Sequence, residues 1–347
     1  ASYVFHHALL RDAAYDMQLG ARLRQLHSRA ATTYEQVYPD LARAPHYAEI
    51  AFHYDRAEET EHAQNYYGAA GGHAKGAYSN KDAIAFFGRA LELTDDSDYA
   101  TRYDYLSERE MVFQWLGNRE QQHHDLEQLK KVVESQADDR KMAELALRQS
   151  SFALVTGNYD DALEKVRLAL DYAIAANDAL AEAKAYHRHG RTMWQQGQSQ
   201  EAERHLDKAL PLAKTLQAPL LEGECLYDLA MVHRLQGHYE RAYQFLQNAI
   251  HTYENLEDKQ GLVRCYNLFG IIEYELGNFS ESIRYYLEAL DLCNNIGWRY
   301  AEAHLLINIG SIHFELGNYA EAKEYHNRGL SLSEETGDTQ VQSISLD

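Results

Sequence analysis

"YELGNFSESIRYYLEALDL" runs from Tyr274 to Leu292, and forty residues later Phe314 to Leu332 reads "FELGNYAEAKEYHNRGLSL". The echo extends backwards along the chain. Glycines fall at Gly117, Gly157, Gly197, Gly237, Gly277 and Gly317, a strict 40-residue interval. Five places after the last five of them comes a small residue (Ala162, Ala202, Ala242, Ser282, Ala322), and seven further on another (Ala169, Ala209, Ala249, Ala289, Gly329). Seven places before the glycine stand Ser150, Gly190, Ala230, Gly270 and Gly310. Self-similarity at a fixed interval of this length is the mark of a repeat architecture.

The spacing predicts a helical hairpin as the repeating unit. Upstream of the glycine, apolar residues recur at helical intervals, as in Leu305, Ile309, Ile312 and Leu316. The glycine supplies the left-handed backbone that closes one helix, and "GNY", "GHY" or "GNF" leads into a second. Small residues seven apart let the two helices approach closely. One hairpin cannot bury its own apolar face, so neighbours stack into a solenoid. Pro211 lies within a second helix and is expected to kink it or end it early.

This small–glycine–Ala–aromatic–Ala skeleton resembles the tetratricopeptide repeat over roughly residues 100–347. Each copy is about six residues longer than the family's usual unit and lacks the Pro that usually closes the second helix. Stretches such as "IGWRYAEA" (Ile296–Ala303) and "TGDTQVQ" (Thr336–Gln342) are expected to hold the surplus. The fold class expected is therefore all-α, an α-solenoid.

The front of the chain carries a second resemblance. "YVFHHALLRDAAYDMQLGARLRQLHSRAATTYE" is similar to the junction after the nucleotide-binding and winged-helix modules of bacterial STAND-type signal-transduction ATPases. The matching residues are Phe5, His7, Ala8, Leu9, Leu10, Arg11, Asp12, Ala13, Ala14, Tyr15, Arg24, Leu26 and His27. The resemblance implies three regions: residues 1–40 as a helical junction resembling the end of a winged-helix module, 41–100 as a degenerate helical arm, and 101–347 as a solenoid of about six 40-residue repeats truncated at its C-terminus. It also implies an absent ATPase module, where ATP or ADP would bind, and leaves open oligomerisation of the full-length active form. The start at Ala1, without Met and inside a patterned segment, is read as the start of an excised piece. "TQVQSISLD", the tail, is read as the beginning of a further first helix.

Totals narrow the partners. Lys and Arg number 33 against 53 Asp and Glu, a formal net charge of −20, which argues against nucleic acid or an anionic membrane as partner. No stretch is long and apolar enough to span a bilayer. Cys225 and Cys265 occupy equivalent repeat places about 8–10 Å apart if the helices stack, beyond disulfide reach. With Cys293 they read as reduced, packed thiols of a cytoplasmic protein.

No catalytic spacing is found, and no enzyme activity or cofactor is expected in these residues. "GAAGGHAKGAYS" (Gly68–Ser79) places Lys75 before Gly76, the reverse of a phosphate loop, so Gly71 and Gly72 are read as a helix–helix contact. His187 and His189, two apart, cannot share a metal from one helical face.

In the tetratricopeptide family the first helices line the concave wall. Residues thirteen, ten, nine, six and three before each turn glycine are then expected to face the groove. Among them Arg148, Lys184, Arg188, Arg191, Arg234 and Arg264 put six cations on a wall that also holds Glu144, Glu224 and Asp228. His187, Trp194, Tyr227, Asn267, Tyr274 and Asn308 accompany them. Arg and aromatic residues dominate binding hot spots, and Arg grips carboxylates in bidentate fashion. The competing reading pairs these cations with acids on adjacent helices. The family's carboxylate-gripping subclass needs Lys and Asn ten and six before the glycine; His187/Arg191, Tyr227/Met231 and Asn267/Ile271 stand there instead. The function expected is a sensor region binding a protein or peptide inducer and controlling its own ATPase and winged-helix modules. The alternatives are a constitutive scaffold joining two proteins, or a small-molecule sensor.

Overall fold

A computed structural model describes residues 20–77 and 79–336. The Phe5–Tyr15 portion of the junction motif and the tail "TQVQSISLD" lie outside the described residues. No strand occurs among the described residues. Sixteen helices of ten residues or more follow one another: α1 (Gly20–Val37), α2 (Tyr47–Arg56), α3 (Thr60–Gly76), α4 (Asn80–Leu93), α5 (Tyr99–Trp115), α6 (Arg119–Gln136), α7 (Asp139–Val155), α8 (Tyr159–Ala175), α9 (Ala179–Gln195), α10 (Ser199–Thr215), α11 (Pro219–Leu235), α12 (Tyr239–Asn255), α13 (Lys259–Glu275), α14 (Phe279–Ile296), α15 (Arg299–Glu315) and α16 (Tyr319–Thr336). Contacts divide the chain into one unit ending at Phe152 and a second beginning at Ala153, the division falling within α7.

The 40-residue period has a simple origin. From α8 to α13 every helix has 17 residues and every link three, so two helices and two links make one period. The surplus residues therefore lengthen helices. They do not fill the stretch after the second helix: Ile296 ends α14, and Arg299 already begins α15. Each link turns on one left-handed residue, and these recur every twenty positions. Gly157, Gly197, Gly237, Gly277 and Gly317 serve the turn inside the hairpin, and Asn177, Gln217, Glu257 and Gly297 the turn between hairpins. The next residue's N–H reaches back five positions, as in Gln198 to Met193 (2.9 Å) and Asp258 to Tyr253 (2.9 Å), which satisfies the helix's terminal carbonyls.

Within the second unit, α9/α10, α11/α12, α13/α14 and α15/α16 form the hairpins. The small residues seven before the glycine receive the bulky side chain nine after it. A Cβ added at Gly190 would stand 2.7 Å from Leu206, and one at Gly270 2.4 Å from the Tyr286 ring. Ala162, Ala202, Ala242 and Ser282 are fully buried, as are Ala169, Ala209, Ala249 and Ala289. Fully burying a leucine such as Leu206 or Leu246 is worth about 2 kcal/mol.

Three details differ from the sequence expectation. Pro211 does not end its helix: α10 runs four residues beyond it to Thr215, with its siblings' length. Leu316 is not a core residue but the exposed cap residue before the turn, while Leu305, Ile309 and Ile312 are buried. Gly72 makes no close approach; the contacts in α3 belong to Gly71, against Phe87, and Gly68, against Tyr105.

In the first unit α1 packs on α2 and each of α2–α5 on its successor, with α3 packed against both α2 and α4. His27, from the junction motif, is buried, its Nδ1 2.8 Å from Nδ1 of His53.

Candidate functional site

Arg148 belongs to the first unit, where its role is structural. Its Nη1 donates to the Glu110 carboxylate (2.8 Å) and the Ser107 carbonyl (3.1 Å), and its Nη2 donates to Glu144 (2.8 Å). Glu110 is 1% exposed and also accepts from Gln122 Nε2 at 2.7 Å. Two carboxylates and a carbonyl thus saturate this guanidinium.

The other eleven candidates lie in the second unit on α9, α11, α13 and α15, the first helices of successive hairpins. Direct packing of α9 on α11 and α11 on α13 brings their side chains into one strip. Its centre is Asp228, completely buried on α11. Burial alone would raise this carboxyl's pKa, but Arg191, the His187 hydrogen bond and Arg264 outweigh that and hold it below the usual carboxylate range. Ionised Asp228 can only accept, so Nε2–H of His187 is the donor in the 2.8 Å bond to its Oδ2. Nε of Arg191 lies 3.9 Å from the same oxygen.

Arg188 is arranged differently. It is half-buried, has no carboxylate within 4 Å among the described residues, and its Nε carries no hydrogen bond there. Burial, then the like charge of Arg191, push its pKa down to about 10, with Glu224 and Asp228 pulling the other way. It stays charged at neutral pH. Trp194 follows on the same face, its indole N–H buried without an acceptor. A buried donor left unpaired costs about 1–3 kcal/mol; on the same helix both ring nitrogens of His189 are also buried without a partner, on the face turned into the hairpin.

Arg264 stacks between two phenol rings, 5.4 Å from the Tyr227 centroid and 5.7 Å from that of Tyr253. Burial pushes the Tyr227 hydroxyl up to about 12, against the pull of Arg264. Arg234, by contrast, is neutralised by Glu275. Lys184 is exposed, with no ionic partner among the described residues. Further along, Nδ2 of Asn308 donates to Oδ1 of Asn267 at 3.2 Å, joining α15 to α13. Tyr274 is exposed on α13, against Phe279 across the turn.

The eleven residues thus share the first helices of successive hairpins in the second unit, but their cations do not form one class. Arg234 is paired; Arg188, Arg191 and Arg264 surround one buried acid. Asp228 is the hub of the strip, although the sequence suggested it only as a partner for arginine. Tyr253 was not anticipated, because it stands on a second helix. The available signal was Gly223 and Gly261, helical glycines outside the 40-residue register. Cys225, Cys265 and Cys293 are buried free thiols, Cys265 pushed up to about 12 by burial.

The tetratricopeptide repeat matches at residues 141–215 and 224–295, and again at 303–336, together just over half of the chain. The chain belongs to the tetratricopeptide-repeat family. The family is one of protein-interaction scaffolds, and its helical fold is typically non-catalytic. No curated protein sequence matches. Among solved structures this repeat chain is similar to a Rap protein complexed with competence and sporulation factor (16% identity, 83% of this chain and 81% of that one, TM-score 0.65). It is also similar to the Rap conjugation gene regulator of the plasmid pLS20 in complex with a Phr peptide (17%, 83% and 76%, 0.64). A third is a STAND protein with a tetratricopeptide repeat sensor from Pyrococcus horikoshii (12%, 98% and 57%, 0.54). At these identities the likeness is one of fold, and the chain spans just over half of the STAND protein. No described helix is long and apolar enough to cross a membrane.

Proposed function

We propose that the strip on α9, α11 and α13 binds an acidic segment of a peptide or protein inducer, and that the chain is the sensor region of a STAND-type ATPase. One observation carries this reading. In a chain with a net charge of −20, three arginines gather around a single buried aspartate, and one of them has no acceptor for its Nε–H. Half-buried guanidinium groups without full neutralisation are poised for a carboxylate, which they hold in bidentate fashion. The STAND part rests on the junction motif and is supported by a STAND protein whose fold aligns with 98% of this chain. The peptide part is supported by the Rap regulator solved with a Phr peptide. Inducer binding would act on the ATPase module through a differential affinity for two states of the whole protein.

Selection of phage-displayed random dodecapeptides on the native chain and on the Arg188→Glu/Arg191→Glu variant tests the strip. Acidic sequences are expected on the native chain only, with the variant melting within a few degrees of it. Equal enrichment on both would move the site elsewhere, and loss of folding together with binding would make the arginines structural. A Walker motif encoded upstream of Ala1 would favour the sensor; its absence would favour a scaffold that joins two proteins without switching.

A further inference from the structure

Tyr253 is the largest fully buried side chain of the second unit, and it comes from a second helix, α12. Its ring passes between α11 and α13 where both carry glycine. A Cβ at Gly261 would lie 2.3 Å from the ring and one at Gly223 2.9 Å from it. The same place in neighbouring repeats holds Ala173, Ala213, Cys293 and Ser333, with Ala183, Val263 and Ala303 in place of Gly223. Bulk has thus been exchanged: one large residue replaces a small one, and its two neighbours lose their side chains. The exchange carries a polar group through the core, because the ring ends in a hydroxyl that accepts from Nη2 of Arg264 at 3.3 Å.

Arg264 is held without being neutralised. Two aromatic faces and one phenol oxygen orient it, and among the described residues no carboxylate comes within 4 Å. Arg188 likewise has no carboxylate partner among the described residues, and the oxygen nearest Arg191 already accepts from His187. Around Asp228, the guanidinium groups of Arg188, Arg191 and Arg264 face the carboxylates of Asp228 and Glu224, which leaves one positive charge unbalanced. A monoanion balances it. A dianion would leave a half-buried strip with excess negative charge, which desolvation penalises.

Resting on the peptide-binding reading, we infer that Arg188, Arg191 and Arg264 form a seat for one carboxylate, and that Tyr253 is its positioning residue, aiming Arg264 from behind the strip. The carboxylate belongs either to an acidic side chain or to a peptide C-terminus, and the test separates the two.

Rhodamine-labelled nonapeptide pools, randomised over uncharged residues, are titrated into the full chain by fluorescence anisotropy. One pool has a central glutamate and an amidated end, a second a central glutamine and a free carboxylate, a third glutamine with the amidated end, and a fourth phosphoserine with the amidated end. One of the first two is expected to bind at least tenfold more tightly than the third, and the winner identifies the source. Phosphoserine is expected to gain nothing over it. Tyr253→Phe keeps the ring and removes the hydroxyl. It should lower the carboxylate-over-amide ratio about fivefold while leaving the third pool and the melting temperature unchanged, and Arg264→Gln should abolish the ratio. Equal binding of the first three pools, tighter binding of phosphoserine, or an unchanged ratio in Tyr253→Phe would overturn the inference and leave peptide binding standing. No binding by any pool would remove the peptide-binding reading itself.

Discussion

Arg148 and Arg188 stand at the same repeat position, nine residues before a turn glycine, and do different work. Arg148 is saturated: Glu110, Glu144 and the Ser107 carbonyl take its donors, and Glu110 has almost no exposure. Arg188 has another arginine beside it and no acceptor for its Nε. Repeat position directs each side chain to the first-helix face, but its partners come from the helix one period before or after it, where each copy has changed independently. Opposite Arg148, α5 supplies Glu110; opposite Arg188, α11 supplies an aspartate already bonded to His187.

The largest expected effect would break this contrast outright. Arg148→Ala leaves the Glu110 carboxylate buried with only Gln122, and urea denaturation should record a loss of about 3 kcal/mol. Arg188→Ala removes a charge that has no direct partner among the described residues, so the same experiment should give a change within about 0.5 kcal/mol. Comparable losses in both would make Arg188 a structural residue.

A pH titration sharpens the contrast at the neighbouring residue. His189 turns into the hairpin, stacking on His205 with ring centroids 3.7 Å apart. Burial, and then His205, Arg167 and Lys208, lower its pKa to about 4 from an ordinary 6.5. Between these values the unfolded chain binds the extra proton, so stability present above pH 6.5 should fall as pH drops toward 4. The expected slope is on the order of 1 kcal/mol per pH unit. His189→Leu, the residue type the next repeat carries as Leu229, should reduce the slope. Part of it should persist through His205, whose pKa burial also lowers. An unchanged slope would assign the effect to other groups.

The smallest effect compares the two turns of a period. Gly237 (φ 75°) and Gln217 (φ 50°) share the left-handed region, one suited to it and one not. Gly237→Ala should cost about 1 kcal/mol and Gln217→Gly should gain somewhat less, read as opposite shifts of the melting temperature. Shifts of the same sign would mean that the turn between hairpins is held by something other than its backbone preference.

Much of the fold was legible because its requirements are local. A turn that must be left-handed favours glycine, and helices that must touch favour Ala202 facing Gly190, so both leave marks at a constant interval. Where another residue met the same requirement the mark was missing: Asn177, Gln217 and Glu257 make the second turn without glycine, and that turn went unread. The extra length of each copy was placed in the linking stretch because sequence shows how many residues separate two landmarks, not where a helix stops. Leu316 followed the helical spacing but sits one residue past the helix end, where spacing no longer implies burial. Pro211 broke a local rule without ending α10, since a helix packed along its length can lose one backbone hydrogen bond and continue.

The candidate strip divides along the same line. Its membership followed from periodicity, because a side chain's face on a helix is a matter of counting. Its chemistry did not, because each side chain's partner lies about forty positions away or on the second helix of the preceding hairpin: Glu275 for Arg234, Asp228 for His187, Tyr253 for Arg264. The sequence by itself determined the helical hairpin, its period, the small residues at its crossing and the face each arginine would take, all properties of backbone geometry and spacing. Only the tertiary structure decided which arginines are already answered and which remain open, since hydrogen bonding and charge compensation act over a few ångströms between groups the chain brings together only after it has stacked.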